Sequence, residues 1–341
     1  MSKHEALVFQ VKKENHPNAD KLALVTANGY LCGVRKDDFS DGDLAVLVEP
    51  DSMVPTSRAE FAFLSGAAYT TGEFTGYARI TARRFRGLTS YGLVVKAPEG
   101  VQPGDDCFEA LGLKHWDPEM AGIKPKAAAL DSEGNDGFGH IYDLEHGKKH
   151  AARVFTPGET VVVTEKVHGT NCRVLVRDGR LWCGSRTQWK KPGDNHYWKW
   201  TERSKGLMDF LAHSNLMILG EVVGPGVSNG SGEAWRYMNA PTFLLFDAVD
   251  LNTGSFLDHT ELEEVADRCG VQRVPFVATL PFESMEQLDA MAVGPSLGAW
   301  DIEPPFREGV VVRPDTERYS PLLGGRAILK FVSGDFLAQE K

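Results

Sequence analysis

Lys166 follows a β-branched run, Val161-Val162-Val163-Thr164, and Glu165, and Gly169 stands three residues beyond it. A lysine directly after such a run and before a glycine is an expensive position to leave without a partner, because a charge taken out of water must be paired or hydrogen-bonded. Gly169 lets the backbone turn tightly beside whatever the amine touches. Lys-x-x-Gly occurs again at Lys190 to Gly193, in a loop, so context has to separate the two. Downstream stand Glu221, in Leu219-Gly220-Glu221-Val222, and Glu308, ahead of Gly309-Val310-Val311, each at a strand end. Taken singly, these carboxylates read as strand ends facing water and Phe246 as ordinary core. Residues 180–205 offer a second chemistry: Arg180, Arg186, Lys190, Lys191, Lys199, Arg203 and Lys205 are interleaved with Trp182, Trp189, Tyr197, Trp198 and Trp200. Cations that hold phosphates beside rings that stack bases suit a nucleic-acid groove. A solvated helix face with core tryptophans accounts for the same composition equally well. Arg79, Arg83, Arg84 and Arg86, with Phe85 among them, form another basic cluster, either a grip on a nucleic-acid backbone or a charged barrel rim.

The elements that position these residues are mostly short strands. In residues 1–126 they are expected at 6–11, 21–34 with a hairpin at Asn28-Gly29, 44–48, 79–81 and 91–95, which suits a small barrel of the oligonucleotide-binding (OB) type. The turn His16-Pro17-Asn18-Ala19-Asp20-Lys21 resembles the opening of tRNA-binding OB modules. Residues 127–150 are Ala-, Gly- and charge-rich without periodicity and read as a linker. In residues 151–341 strands are expected at 160–164, 172–183 hinged on Asp178-Gly179, 216–223, 242–249, 309–313 and 327–332, and helices at 259–269 and 284–293. Strands follow strands and helices are peripheral, so the class is α+β with largely antiparallel sheets.

Composition agrees with two folded domains: of 341 residues 42% are apolar and 25% charged, which excludes disordered, collagenous and coiled-coil classes. No run approaches the ~18 to 20 apolar residues of a membrane span, and Lys3, Glu5, Lys12, Lys13 and Glu14 break up the N-terminus, so a cytoplasmic protein without a membrane partner is expected. The five cysteines lack CxxC spacing and read as reduced packing residues. The formal charge of -10 is local: residues 245–303 hold twelve Asp and Glu against two Arg, and the rest of the chain is neutral. Net acidity therefore does not exclude a nucleic-acid partner.

Taken in order, Glu165-Lys166-Val167-His168-Gly169-Thr170-Asn171, Ser185-Arg186-Thr187, the Glu221 strand, Phe246, Glu308-Gly309-Val310-Val311 and Lys330 resemble the six motifs of covalent nucleotidyltransferases, the superfamily of ATP-dependent ligases and RNA capping enzymes. The first motif and Ser-Arg-Thr look most like the RNA ligase 2 family. The barrel-like module, with a chain ending eleven residues after Lys330, points to the Deinococcus-type branch. The fold implied is an OB-like barrel followed by a nucleotidyltransferase domain.

The resemblance implies a three-step reaction. Lys166 attacks the α-phosphorus of ATP, AMP passes from the lysine to an RNA 5′-phosphate, and a 3′-hydroxyl displaces it. A lysine attacks only when neutral, so its ordinary pKa of roughly 10.4 has to fall, and Lys330, a divalent ion and partial burial push that way. Glu308 matches the metal-associated carboxylate, for Mg or Mn. Glu221 is implied at the ribose hydroxyls, Phe246 stacked on adenine and Glu165 at the adenine amine; Arg186, Asn171 and Lys330 position phosphates or ribose, with His168 and Gly169 in support. Arg79, Arg83, Arg84, Arg86, Lys190 and Lys191 are expected on RNA, the substrate having 3′-OH and 5′-phosphate ends in a nicked duplex or hybrid; no obligate protein partner is implied. The last motif departs from the common Lys-x-Lys, having Val332 in place of the second lysine, and Arg326 is a candidate substitute. Two other functions stand beside this one: a GTP-dependent capping-type enzyme, which normally carries a further C-terminal domain, and a catalytically inactive RNA-end-binding protein on the same fold.

Overall fold

The computed structural model describes residues 5–116, 132–134, 144–186, 188–229, 232–233 and 235–339. Of the expected linker, residues 127–131 and 135–143 lie outside them, as does Thr187. The chain divides into two compact units, Met1–Pro125 with Gly334–Lys341, and Lys126–Ser333.

The first unit is built from short antiparallel strands. Leu22–Ala27 and Tyr30–Arg35 form the expected hairpin, with Asn28 and Gly29 both left-handed at φ 50° and 79°, the conformation a two-residue turn between right-twisted strands needs. Leu44–Val48 pairs with Val8–Gln10 on one side and Leu93–Lys96 on the other, and Ser52–Pro55 with Tyr77–Arg79. Arg83–Phe85 and Leu88–Ser90 make a small hairpin. The terminal segment belongs here: Leu337 packs on the core of Phe9, Tyr30, Leu47 and Tyr91, and Thr89 Oγ1 donates to the Gly334 carbonyl at 3.0 Å.

The second unit holds two sheets. The first runs Ser132–Gly134, Trp189–Lys190, Arg180–Gly184, Thr170–Arg177, Leu216–Val223, Thr242–Asp250, Gln272–Arg273, antiparallel except for its last pair. The second runs Glu145–His146, Leu329–Val332, Gly309–Pro314, Thr160–Lys166, Phe276–Pro281. Because side chains alternate along a strand, Val161, Val163, Val310, Val312, Leu329 and Phe331 turn to one face, where Gly147–Val154 and Met285–Met291 cover them. Leu207–Ser214 and Glu261–Cys269 likewise cover Val174, Ile218, Phe243 and Leu245 of the first sheet.

The expected α+β architecture with peripheral helices is the one found. The helix Gly147–Val154 begins inside the stretch expected to be a connector; its Gly147 lies so close to the Phe331 ring that a Cβ there would fall 2.1 Å from it, a tertiary constraint that periodicity cannot reveal. All five cysteines are buried thiols. Trp189, Tyr197 and Trp200 are core, so burial accounts for those three rings of residues 180–205, while Trp182 and Trp198 are half-buried. No helix among the described residues is long and apolar enough to cross a membrane.

Candidate active site

Register sets one wall of the site. Lys166 lies opposite Gly309, and Thr164 opposite Val311, which lies opposite Lys330. Residues two apart share a face, so Thr164, Lys166, Val311, Arg313, Ile328 and Lys330 stand together, opposite to the face packed by helices. They line a cavity of about 220 Å³ whose other wall is Asn171, Glu221 and Phe246 from three neighbouring strands of the first sheet, with Asn171 opposite Glu221. Exposed Arg186, just past the Arg180–Gly184 strand, and buried Glu165 complete the lining that matters chemically.

Lys166 Nζ donates to Glu308 Oε1 at 2.5 Å, and Glu308 is 4% exposed. Lys166 thus has the partner its position demanded; beside that partner, Gly309 lets the Leu329–Val332 strand approach closely, since a Cβ there would lie 2.0 Å from the Phe331 carbonyl oxygen. Glu221 is pushed up to about 8, first by burial, with the Lys166 charge opposing and Glu308 adding to the rise. The Gly169 amide donates to Glu221 Oε1 at 3.1 Å. Gly169 does not take the left-handed backbone of a tight turn; it is needed for close approach, since a Cβ would lie 2.4 Å from the Val222 carbonyl oxygen.

His168 follows Lys166 by two residues and is not among the residues that line the cavity. Its amide donates to the Tyr237 hydroxyl at 3.1 Å, its ring meets Trp235 edge-on at 5.4 Å, and burial followed by the Lys166 charge lowers it to about 4, so the imidazole is neutral at pH 7. Glu165 has both carboxylate oxygens engaged, one by the Ser296 hydroxyl and the other by the Leu297 amide at 2.9 Å, and burial raises its pKa. Any contact with a base is therefore made by a carboxylate already held in place.

The cavity brings together Glu165, Lys166, Asn171, Arg186, Glu221, Phe246 and Lys330, with Glu308 on Lys166. Sequence reasoning overlooked Tyr237 and Arg313. Arg313 lies two residues past Val311 on the cavity face, an alternation legible in the sequence, and donates to Asp247 Oδ1 and Glu317 Oε1, both at 3.1 Å. Arg326, the candidate substitute at the last motif, donates to Asp247 Oδ2 at 2.6 Å and also bonds Glu317, so its guanidinium holds the protein together instead.

The cations expected on RNA divide. Arg83, Arg84, Arg86 and Lys191 are exposed. Arg79 bonds Asp51 and lies 3.5 Å over the Trp116 ring, while Lys190 is buried, with Nζ 3.4 Å from Gln188 Oε1. Lys190 is thus withdrawn from water, whereas Arg79 is half-buried.

A family model described as RNA ligase matches residues 159–332, and one described as an OB-fold domain matches residues 7–97. No curated protein matches the chain in sequence. Among solved structures, a lysine-to-alanine variant of the Naegleria gruberi RNA ligase with ATP and Mn is 24% identical, with a TM-score of 0.76 over 97% of this chain and 98% of that one. The same organism's RNA ligase with pyrophosphate is 23% identical, with a TM-score of 0.76 over 98% of each chain. A variant of it with AMP and Mn is 24% identical, with a TM-score of 0.74 over 97% of each. At this identity the likeness is one of fold.

Proposed function

The chain belongs to the RNA ligase family, whose model spans half of it, and on that premise we propose that it joins an RNA 3′-hydroxyl to a 5′-phosphate by way of AMP carried from ATP on Lys166. The observation that carries this reading is the pairing of Lys166 with Glu308 at a cavity that also presents Glu221, Phe246, Arg186 and Lys330.

In the first step the Lys166 nitrogen lone pair forms a bond to the α-phosphorus, the bond to the pyrophosphate oxygen breaks, and pyrophosphate leaves. An ammonium held against a carboxylate has no lone pair to offer, so its proton must pass to Glu308 or to water before attack. Lys330, on the same wall, then favours the neutral amine and takes phosphate charge. Phe246 offers a face for the base and Asn171 and Glu221 offer hydrogen bonds for the ribose, while Arg186 at the rim suits the outer phosphates. In the second step an oxygen of the RNA 5′-phosphate attacks the AMP phosphorus and the Lys166 nitrogen leaves. In the third the 3′-hydroxyl oxygen attacks the RNA phosphorus and AMP leaves.

Magnesium or manganese fits the donors present. Among the described residues no group of three or more His, Cys, Asp and Glu is gathered, which suits an ion held by one or two carboxylates and otherwise by water and phosphates. Glu308 would hold it, and such an ion, when bound, neutralises phosphate charge and stabilises the leaving group.

The 3′-hydroxyl must meet the adenylylated 5′-phosphate in line, and a nicked duplex or an RNA/DNA hybrid achieves this by pairing the two strands to one template. Arg83, Arg84 and Arg86 on the OB-type unit, and Lys191, would hold the backbone. The test is incubation with α-labelled ATP or GTP and Mg or Mn: acid-stable, nucleophile-sensitive label from ATP supports the reading. Label from GTP alone would indicate a capping-type enzyme, and no adduct an RNA-end-binding protein.

A further inference from the structure

The hairpin Arg83–Phe85 / Leu88–Ser90 places a phenyl ring among arginines at the surface of the OB-type unit. Phe85 is 42% exposed, and Arg83, Arg84 and Arg86 beside it are exposed as well. The ring rests with one side over Gly33 and leaves the rest of its surface open between cations, an arrangement suited to stacking a base.

The hairpin is fastened. His16, itself buried, bonds the Phe85 carbonyl through Nε2 at 3.2 Å and accepts from the Asn18 amide at Nδ1 at 3.1 Å, so a proton on Nε2 satisfies both contacts. Asn18 Nδ2 donates to the Arg86 carbonyl at 3.2 Å. Arg86 is left-handed at φ 48°, and Gly87 at 96° completes the turn. At the base, Ser90 Oγ accepts from the Gly33 amide at 2.9 Å, and Gly33 leaves the floor beneath the ring clear: a Cβ there would lie 3.3 Å from Phe85 Cδ2. Arg84 is drawn aside by Asp335 at 3.5 Å and by the Gly87 carbonyl at 3.3 Å; Arg83 and Arg86 make no ion pair among the described residues.

We propose that Phe85 is a stacking platform for one unpaired base of the RNA substrate, with Arg83 and Arg86 on the flanking phosphates. This rests on the reading that the barrel holds RNA, and narrows it to a site. An aromatic face is indifferent to base identity and the arginines to sequence, as a ligase acting on any break requires. Holding the platform in place beforehand removes the ordering cost that a mobile aromatic would bring to binding. The His16-Pro17-Asn18 turn thus serves as the clamp that aims the hairpin.

The test uses the full-length protein and a nicked duplex with an unpaired 2-aminopurine, measuring 2-aminopurine quenching, RNA affinity by anisotropy at several salt concentrations, and lysyl-AMP yield. Wild type and Phe85→Trp should bind alike and quench the probe. Phe85→Ala and Phe85→Leu should lose the quenching and about tenfold in affinity, with lysyl-AMP yield unchanged. Phe85→Leu binding as wild type would overturn stacking, since Leu keeps an apolar contact without a ring face. Phe85→Ala binding as wild type while Arg83→Ala and Arg86→Ala weaken binding would overturn the platform and leave the barrel an RNA-backbone clamp. If none of the four changes affinity, the barrel does not hold RNA and the underlying reading fails too.

Discussion

Lys166 and Glu308 come from strand ends 142 residues apart, and register alone makes them neighbours. Lys166→Ala should abolish labelling by ATP yet leave sealing of a pre-adenylylated RNA 5′ end at least partly intact, because the amine is a nucleophile only in the first step. Loss of both activities in a folded variant would contradict that division. Glu221 carries a pH signature. Its ordinary value of 4.5 is raised to about 8, so between those limits the folded protein keeps a proton that the unfolded chain gives up, and stability falls as pH rises through that window. Glu221→Gln should remove that fall in thermal melts from pH 5 to 8; parallel curves for variant and wild type would refute the shift. His168 acts in the opposite sense: lowered from 6.5 to about 4, it contributes stability that is lost as pH falls from 6.5 toward 4. Lys166 was legible because it follows a β-branched run and precedes a glycine, whereas Arg186, Glu221, Phe246 and Glu308 became candidates only through the order of the motifs they share with the ligase superfamily. Tyr237 and Ser296 were not legible, since a hydroxyl that meets a backbone amide or a carboxylate across the fold leaves no local pattern.

At the scale of elements, Asp247 ties the two sheets. Fully buried on Thr242–Asp250, it accepts from Arg313 on Gly309–Pro314 and from Arg326 beside Leu329–Val332. Asp247→Ala should cost about 3 to 5 kcal/mol in denaturant unfolding, because it leaves two guanidinium groups without their shared carboxylate. A change under about 1 kcal/mol would mean that Glu317 compensates. Strands formed by short, largely apolar runs, such as Leu216–Val223 and Leu44–Val48, matched their expected bounds. The hairpins at Asn28-Gly29 and Asp178-Gly179 were legible because a two-residue turn requires positive φ. Phe276–Pro281 was not, being an edge strand with an exposed, irregular face, and Gly147–Val154 owes its place to the Phe331 ring.

For the whole molecule, the account divides labour: the Lys126–Ser333 unit forms the nucleotide cavity, and the unit that gathers Met1–Pro125 with Gly334–Lys341 carries the exposed arginines. Replacing Arg83, Arg84 and Arg86 together should lower sealing and flatten the salt dependence of RNA binding by about 0.7 to 0.9 per lost phosphate contact, without changing lysyl-AMP yield. An unchanged slope would remove these residues from the RNA path. The most direct test of the central claim is to incubate the full chain with ATP and Mn, measure its intact mass, and fragment it to find the modified residue. The account predicts one AMP per chain, joined to Lys166; an adduct on Lys190 or any other residue, or none in a folded protein, would contradict it.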